Sequence, residues 1–496
     1  MPLHAFDTQT HAYIAYQAFV NSNLDNANAA ALLQQLGLDR FDPAQPFSPY
    51  WLLLPNLQEF YYDNLPSGTP PLQYERPATA YEWEQMQQLA APGFLGPNSN
   101  SIVGATPFSP LPIANWLIRG AIREDDLPAS QYDVRDGAPP DPDPYGDIFR
   151  PLNHFYDPIH NIPLTFAGSL GEKSVDWALG DVDTFASPPQ IDTSRRNHFS
   201  WEDARQNEFL ALTAERDANM DSVREASERE ADSEERLFRW ATTFRSLGDV
   251  VHLLQDAAQP QHTRNDRHDR HFNSGERQGF EPFTNYRLIG KAAFAVQDPT
   301  GGQVYVRGLV KDDGKMFAQF FTPLPDINGY PVPMFATPLR FFSTRNPSDG
   351  PSVLPDNRYG IADYSNRGFF TTGTTPDANT NLAGVYAFQR PDPTLTGFTT
   401  QNTNCAFLPS LRGQAVTCVT YLHSVPDPVQ PSRADSTTPQ PMLSNGMWKG
   451  FFGSTNNLYT ISPQTFQVIG NLTVPRAIAY SAGLINYFFR GKLAVT

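Results

Sequence analysis

Cysteine is nearly absent: Cys405 and Cys418 are the only two in 496 residues. Two thiols cannot build a four-thiolate metal knot, so a metal ion here has to be held by histidine and carboxylate. The pair stands in a Thr/Asn-rich stretch and reads either as a disulfide closing a surface loop or as two thiols. Positive charge is scarce too, with 36 Lys and Arg against 52 Asp and Glu and a formal charge of −16. A surface of that sign repels phosphate backbones, which argues against a stable nucleic-acid complex held by a basic face. It leaves open a site where bound metal brings the positive charge. No apolar run approaches the ~18 residues of a membrane span. The longest knots, such as Tyr50-Trp51-Leu52-Leu53-Leu54, stop at a proline. The start, Met1-Pro2-Leu3-His4, carries no basic and apolar leader in this numbering.

What is present suits a folded chain with much irregular loop. Apolar residues make up 40%, charged residues 18%, and prolines number 46. The length allows two or three domains, or one domain with a large insertion. Residues 10–35 have helical spacing, with Asp7, Thr8 or Thr10 available as a cap. Residues 38–110 are rich in Pro, Tyr and Trp. The stretch from Ile113 to Arg123 predicts a second helix that runs into Glu124-Asp125-Asp126. From Ser200-Trp201-Glu202-Asp203, a start like a capping box, Ala, Glu and Arg continue to about Ala258. Two or three long helices are expected there, the last over roughly 233–258 and ended by Pro260. Residues 290–470 turn to Phe, Thr, Gly, Pro and Asn with strand-like fragments such as Gln303-Val304-Tyr305-Val306, and one or two helices near Asp363 to Phe370. A closing helix is expected from Pro475 to Arg490.

The chemistry concentrates around His252-Leu253-Leu254-Gln255-Asp256, with His262 just past the helix break. Positions i and i+4 share one face of a helix, so His252 and Asp256 can grip one ion together. Leu247, Val250, Val251 and Leu254 make that helix at least partly buried, and a buried His and Asp need a partner that metal can supply. His252, His262, His268 and His271 are four of the chain's ten histidines. Elsewhere the candidates are plainer. Asp125 alone reads as a solvated acidic turn, and His154 and His11 alone read as core histidines. Their company is what favours metal.

In chain order, Thr10-His11-Ala12-x-Ile14, Gly120-Ala121-x-x-Glu124-Asp125, His154-Phe155-Tyr156-Asp157-Pro158 and His252-x3-Asp256-x5-His262 resemble the zinc-dependent phospholipase C and P1 nuclease family. The resemblance covers residues 1 to about 285 and the closing helix. It implies a mainly α protein: a helical catalytic domain at 1–289, a loop- and β-rich insertion at 290–470, and a closing helix of the catalytic domain at 471–496. It also implies two to three zinc ions. Asp125, His154, His252 and Asp256 would hold the first. His262, one of His268 or His271 (His268 preferred) and Glu281 would hold the second. His11, a bridging Asp256 and the amino terminus would hold the third. The chain departs from the family at Arg277, where a histidine is usual four residues before the last carboxylate, and at Met1, where the family begins with tryptophan. The 290–470 stretch has no counterpart in the family.

By the same resemblance the activity is phosphodiester hydrolysis by metal-activated hydroxide attacking phosphorus, with Asp125 orienting the nucleophile or taking its proton. The string His154 to Pro158 and a glutamate as last ligand point to the phospholipase branch and to a phosphatidylcholine-type lipid. The family implies a secreted or periplasmic protein. Phe320-Phe321 and Phe341-Phe342 either touch a bilayer surface or are buried within the insertion. Two rivals stand beside this: an S1/P1-like single-strand nuclease, and a non-catalytic surface protein stabilised by zinc. Oligomeric state is not legible in the sequence.

Overall fold

The computed structural model describes residues 8–24, 53–54, 58–60, 73–75, 111–125, 150–159, 161–166, 169–180, 197, 199–213, 233–265, 280, 296–297, 303–304, 327–343, 360–369, 397–404, 417–422, 427, 429–430, 440–445, 459–460 and 463–490. These are mainly α-helical. The chain forms two compact units. The first comprises Met1–Thr10, Phe149–Val175 and Leu254–Tyr480, the second His11–Ile148, Asp176–Leu253 and Ser481–Thr496.

In the second unit, helix α1 (Thr8–Val20) buries Ile14, Ala15, Ala18 and Phe19. It stops well before residue 35, because local side chains take over its last carbonyls. Asn21 Nδ2 donates to Gln17 O at 2.8 Å and Ser22 Oγ to Phe19 O at 2.7 Å. Residues 25–35 lie outside the described residues. Helix α2 (Ile113–Arg123) has the predicted bounds and is buried along its whole length, as a core helix is. Helix α3 (Ser174–Leu179) sends Trp177 Nε1 to Glu124 Oε1 at 2.7 Å.

Helix α4 (Trp201–Thr213) opens on the capping box that the sequence suggested. Ser200 N–H and Oγ–H both donate to Asp203 Oδ2, at 2.9 and 2.6 Å. Helix α5 (Ser233–Asp256) is the long helix expected over 233–258. It crosses α2 with the two backbones in contact. A Cβ at Gly120 would lie 2.1 Å from the Arg245 carbonyl oxygen, and one at Gly248 2.3 Å from that of Leu117. Only glycine fits at either position. Next to the crossing, Arg245 and Asp249 form a buried i,i+4 ion pair at 2.8 Å, with the guanidinium 3.8 Å from the Phe199 ring centre.

Glu208 on α4 gives this unit a pH dependence. Burial pushes its carboxyl from 4.5 up to about 7, with the Arg205 guanidinium pulling the other way. A raised folded-state value means that stability present below pH 4.5 is lost as the pH rises through 7. Glu208→Gln should therefore gain on the wild type between pH 5 and 8 by ~1–2 kcal/mol, discounted for partial exposure. Denaturant melts at the two pH values check this, and a pH-independent difference contradicts it.

In the first unit a 3-10 turn at Arg150–His154 leads to Asp157, which bridges to Ile162. Gly171 lies close beneath the turn, where a Cβ would meet the Leu152 carbonyl oxygen at 2.5 Å. Beyond α5, Pro260 opens a short helix α6 (Pro260–Thr263) as its first residue. The long helix has already stopped at Asp256, so proline starts the next element instead of ending the previous one. Helices α7 (Leu339–Phe342) and α8 (Ile361–Gly368) follow. Phe341 and Phe342 are fully buried, with Phe341 against Phe335 at 4.8 Å and Phe335 against Tyr480 at 5.6 Å. Phe320 and Phe321 lie outside the described residues. Four strands pair antiparallel in sequence order: β1 (Gly397–Asn404), β2 (Thr417–Leu422), β3 (Gln440–Asn445) and β4 (Tyr459–Thr460).

Helix α9 (Pro463–Phe488) begins twelve residues before the expected start at Pro475, which lies inside it. Proline there removes a backbone donor, and the Arg476 guanidinium donates to the nearby Leu472 carbonyl at 2.5 Å. Arg476 also donates from Nε to Asp427 Oδ2 at 2.9 Å, while Tyr330 OH donates to Asp427 Oδ1 at 2.8 Å. By length and composition Thr465–Phe488 could cross a membrane, but 83% of its apolar 18-residue window is buried within the protein, as in a core helix.

Candidate metal centre

His252 and Asp256 stand one turn apart on α5 and are fully buried. In the second unit, His252 Nδ1 lies 2.6 Å from the carbonyl oxygen of Ala121 on α2. A carbonyl can only accept, so Nδ1 carries the proton and Nε2 presents a lone pair. The glycine crossing makes this contact possible, because it brings α2 onto α5 one residue before Ala121. Nε2 faces Asp125 Oδ1 at 3.7 Å. That is too long for a hydrogen bond, and it falls in the separation of about 3–4 Å between two atoms bound to one tetrahedral zinc. The His11 ring stacks on His252 with centres 3.6 Å apart and planes 17° apart.

The first unit holds a matching set. His262 Nδ1 donates to the carbonyl oxygen of His154 at 2.8 Å, and Tyr156 N–H returns a bond to the carbonyl of His262 at 3.1 Å. This reciprocal pair ties the two chain segments together and again leaves Nε2 as the lone-pair nitrogen. Phe155 lies flat on the His262 ring at 4.0 Å and 11°. Asp256 Oδ2 stands 2.9 Å from His154 Nδ1 and 3.8 Å from His262 Nδ1. Histidine ligands of metals usually donate their second ring nitrogen to a carbonyl or carboxylate, which fixes both tautomer and ring orientation. His252 and His262 both do so.

His11 and Asp125 gather on His252 in the second unit, and His154 and His262 gather on Asp256 in the first. All six residues are buried. Imidazole and carboxylate, without thiolate, form a donor set that suits zinc at a hydrolytic site, so these residues fit the ion that the sequence implied. Buried His/Asp groups that could hold a metal ion are therefore a feature of this chain. His268, His271 and Glu281 lie outside the described residues. Phe280, next to Glu281, is buried with its ring 5.5 Å from that of Phe466.

Several supporting residues have no signature in sequence. The carbonyls of Ala121 and His154, which set the two tautomers, belong to residues whose side chains give no hint of that role. Gly120 stands in the Gly120-Ala121 pair used for the resemblance, yet its reason (the close approach of α5) is visible only with both helices in place. Comparison of the chain with models of protein families, with curated proteins and with solved structures finds no match.

Proposed function

We propose that this protein is a zinc-dependent phosphodiester hydrolase of the phospholipase C kind. The observation that carries it is the shared arrangement of His252 and His262. Each is pinned at Nδ1 by a backbone carbonyl, and each has a buried carboxylate beside it. The ordered motifs shared with the zinc-dependent phospholipase C and P1 nuclease family add the reaction class. Zinc, when bound, polarises a phosphoryl oxygen and lowers the pKa of a water to near neutrality.

The remaining roles fall to the chain. His252, Asp256, His154 and Asp125 would hold one ion, and their burial would keep bulk water from competing. His11, Asp256 and the amino terminus would hold a further ion, and His262, with His268 or His271 and Glu281, another. Asp125 takes the proton of the attacking water on the carboxylate that faces His252. The substrate proposed first is a phosphatidylcholine-type lipid, met at a membrane surface by a secreted or periplasmic protein. The glutamate at 281 and the His154-to-Pro158 string favour that branch over the nuclease.

The test is release of the phosphorylated headgroup from phosphatidylcholine vesicles, with single-stranded DNA in parallel, before and after chelation and after zinc is restored. Lipid cleavage that chelator abolishes and zinc restores is expected. Cleavage of DNA alone would move the protein to the nuclease branch. Bound zinc with neither activity would make it a binding protein.

A further inference from the structure

Helix α8 lies in the 290–470 stretch, which the family resemblance leaves without a counterpart, yet its side chains reach the segments that carry three candidate ligands. Asn366 is the centre of this. Its Nδ2 donates to Asp157 Oδ1 at 3.2 Å, three residues after His154, and to the carbonyl of Thr263, next to His262. Its own carbonyl accepts from Arg264 Nη1 at 2.8 Å. One residue earlier, Ser365 Oγ donates to the carbonyl of Ala257 at 2.6 Å, next to Asp256, and lies 3.1 Å from Thr263 Oγ1. Ser365, Asn366, Asp157 and Thr263 are all buried. Gly360 before the helix holds it close to Ser343, where a Cβ would meet backbone atoms at 2.3 to 2.4 Å.

We infer that α8 is a brace for the metal centre: through Ser365 and Asn366 it holds the segments bearing His154, Asp256 and His262 at one separation, and metal binding depends on it. The physical reason is geometric. His154 and His262 sit on chain segments remote in sequence, joined to each other by the pair His262 Nδ1–His154 O and Tyr156 N–His262 O. Asn265 Nδ2 joins the same two segments further along, donating to the carbonyls of Ile162 and Pro163 at 3.2 and 3.0 Å. Asn366 ties both segments to α8, and Ser365 ties the end of α5 beside Asp256 to the same helix, so that all three are set against one element. An outer residue that orients ligands typically controls metal affinity by about 10–100-fold. This inference rests on the zinc-binding reading above. It makes Asn366 and Ser365 positioning residues that touch neither metal nor substrate, and it makes part of the 290–470 stretch integral to the centre.

The test is zinc affinity, measured by competition with a chromophoric chelator, for the full chain and its variants. Asn366→Asp is the most informative change, since it keeps the shape, removes both amide donors and sets a carboxylate against Asp157. Zinc affinity should fall by about 10-fold or more in Asn366→Asp and in Asn366→Ala, and less in Ser365→Ala. Asp203→Ala is the control for destabilisation alone, because it breaks the buried capping box at the start of α4 and leaves the hydrogen bonds of Ser365 and Asn366 intact. It should lower the melting temperature of the metal-free protein without changing zinc affinity. Equal affinity in wild type and Asn366→Asp overturns the brace while leaving the metal centre standing. A zinc affinity that simply follows melting temperature across all the variants, Asp203→Ala included, also overturns it. A wild-type chain that takes up no zinc overturns the brace and the proposed function together.

Discussion

His252→Ala should strip the protein of zinc and of hydrolytic activity in one step. His252 is the middle of its group, stacked on His11 and facing Asp125, so its removal opens that group. The loss should exceed the roughly 100-fold fall in metal affinity that a missing outer partner causes, because a ligand itself is gone. The change also leaves a cavity beside His11, whose ring rests on the imidazole at 3.6 Å, and abandons the Ala121 carbonyl as a buried acceptor. Together these should cost the metal-free protein about 2–4 kcal/mol. The two effects are separable. Zinc content and headgroup release measure the first, and a denaturant melt in chelator measures the second. A variant that keeps its zinc and turns over normally would remove His252 from the centre.

Gly120→Ala should be nearly as damaging although it touches no ligand. The added methyl would sit 2.1 Å from the Arg245 carbonyl oxygen and 2.8 Å from the Asp249 amide nitrogen. Both are backbone atoms of a buried helix, so no rotamer change can make room, and α2 must move off α5. Overpacking of this kind costs about 3 kcal/mol, at the upper end of its usual range, because relief requires whole helices to shift. The same movement draws Ala121 away from His252, and the tautomer at that histidine is then no longer set by a carbonyl. A lower melting temperature accompanied by weaker zinc binding is the expected result. An unchanged melting temperature would mean that the helices do not cross as closely as described.

Much of this was readable from local pattern. The bounds of α2 follow from an apolar period closed by Glu124-Asp125, and the start of α4 from the Ser200–Asp203 box. The pairing of His252 with Asp256 follows from four-residue spacing on a helix. These are short-range signals, and short-range physics decides them. The interlocking features are different. Nothing within a few residues of Asn366 says that it will bind Asp157 and Thr263, which are separated from it by about two hundred and one hundred positions. A helix near Asp363 to Phe370 is legible in local pattern and α8 is found there, whereas the partners of its side chains are set by distant segments. Pro475 misled for the opposite reason. Proline is a strong local signal for a helix start, but here it lies within a buried helix that runs through it. The burial of Phe341 and Phe342 likewise depends on Phe335 and through it on Tyr480, a residue far along the chain.

The phospholipase reading and the metal reading are separable. Tautomers set by backbone carbonyls argue for metal whatever the substrate, whereas the lipid argument rests on the family motifs and on Glu281. The brace at α8 depends only on metal binding. It would hold equally for a nuclease.

The most direct measurement is the zinc content of the purified chain, by inductively coupled plasma mass spectrometry, after dialysis against trace zinc. About two zinc ions or more per chain in the wild type, and a marked loss in His252→Ala, are the predicted results. A folded wild-type chain that retains no zinc under those conditions would contradict the claim that His11, Asp125, His154, His252 and Asp256 are metal ligands.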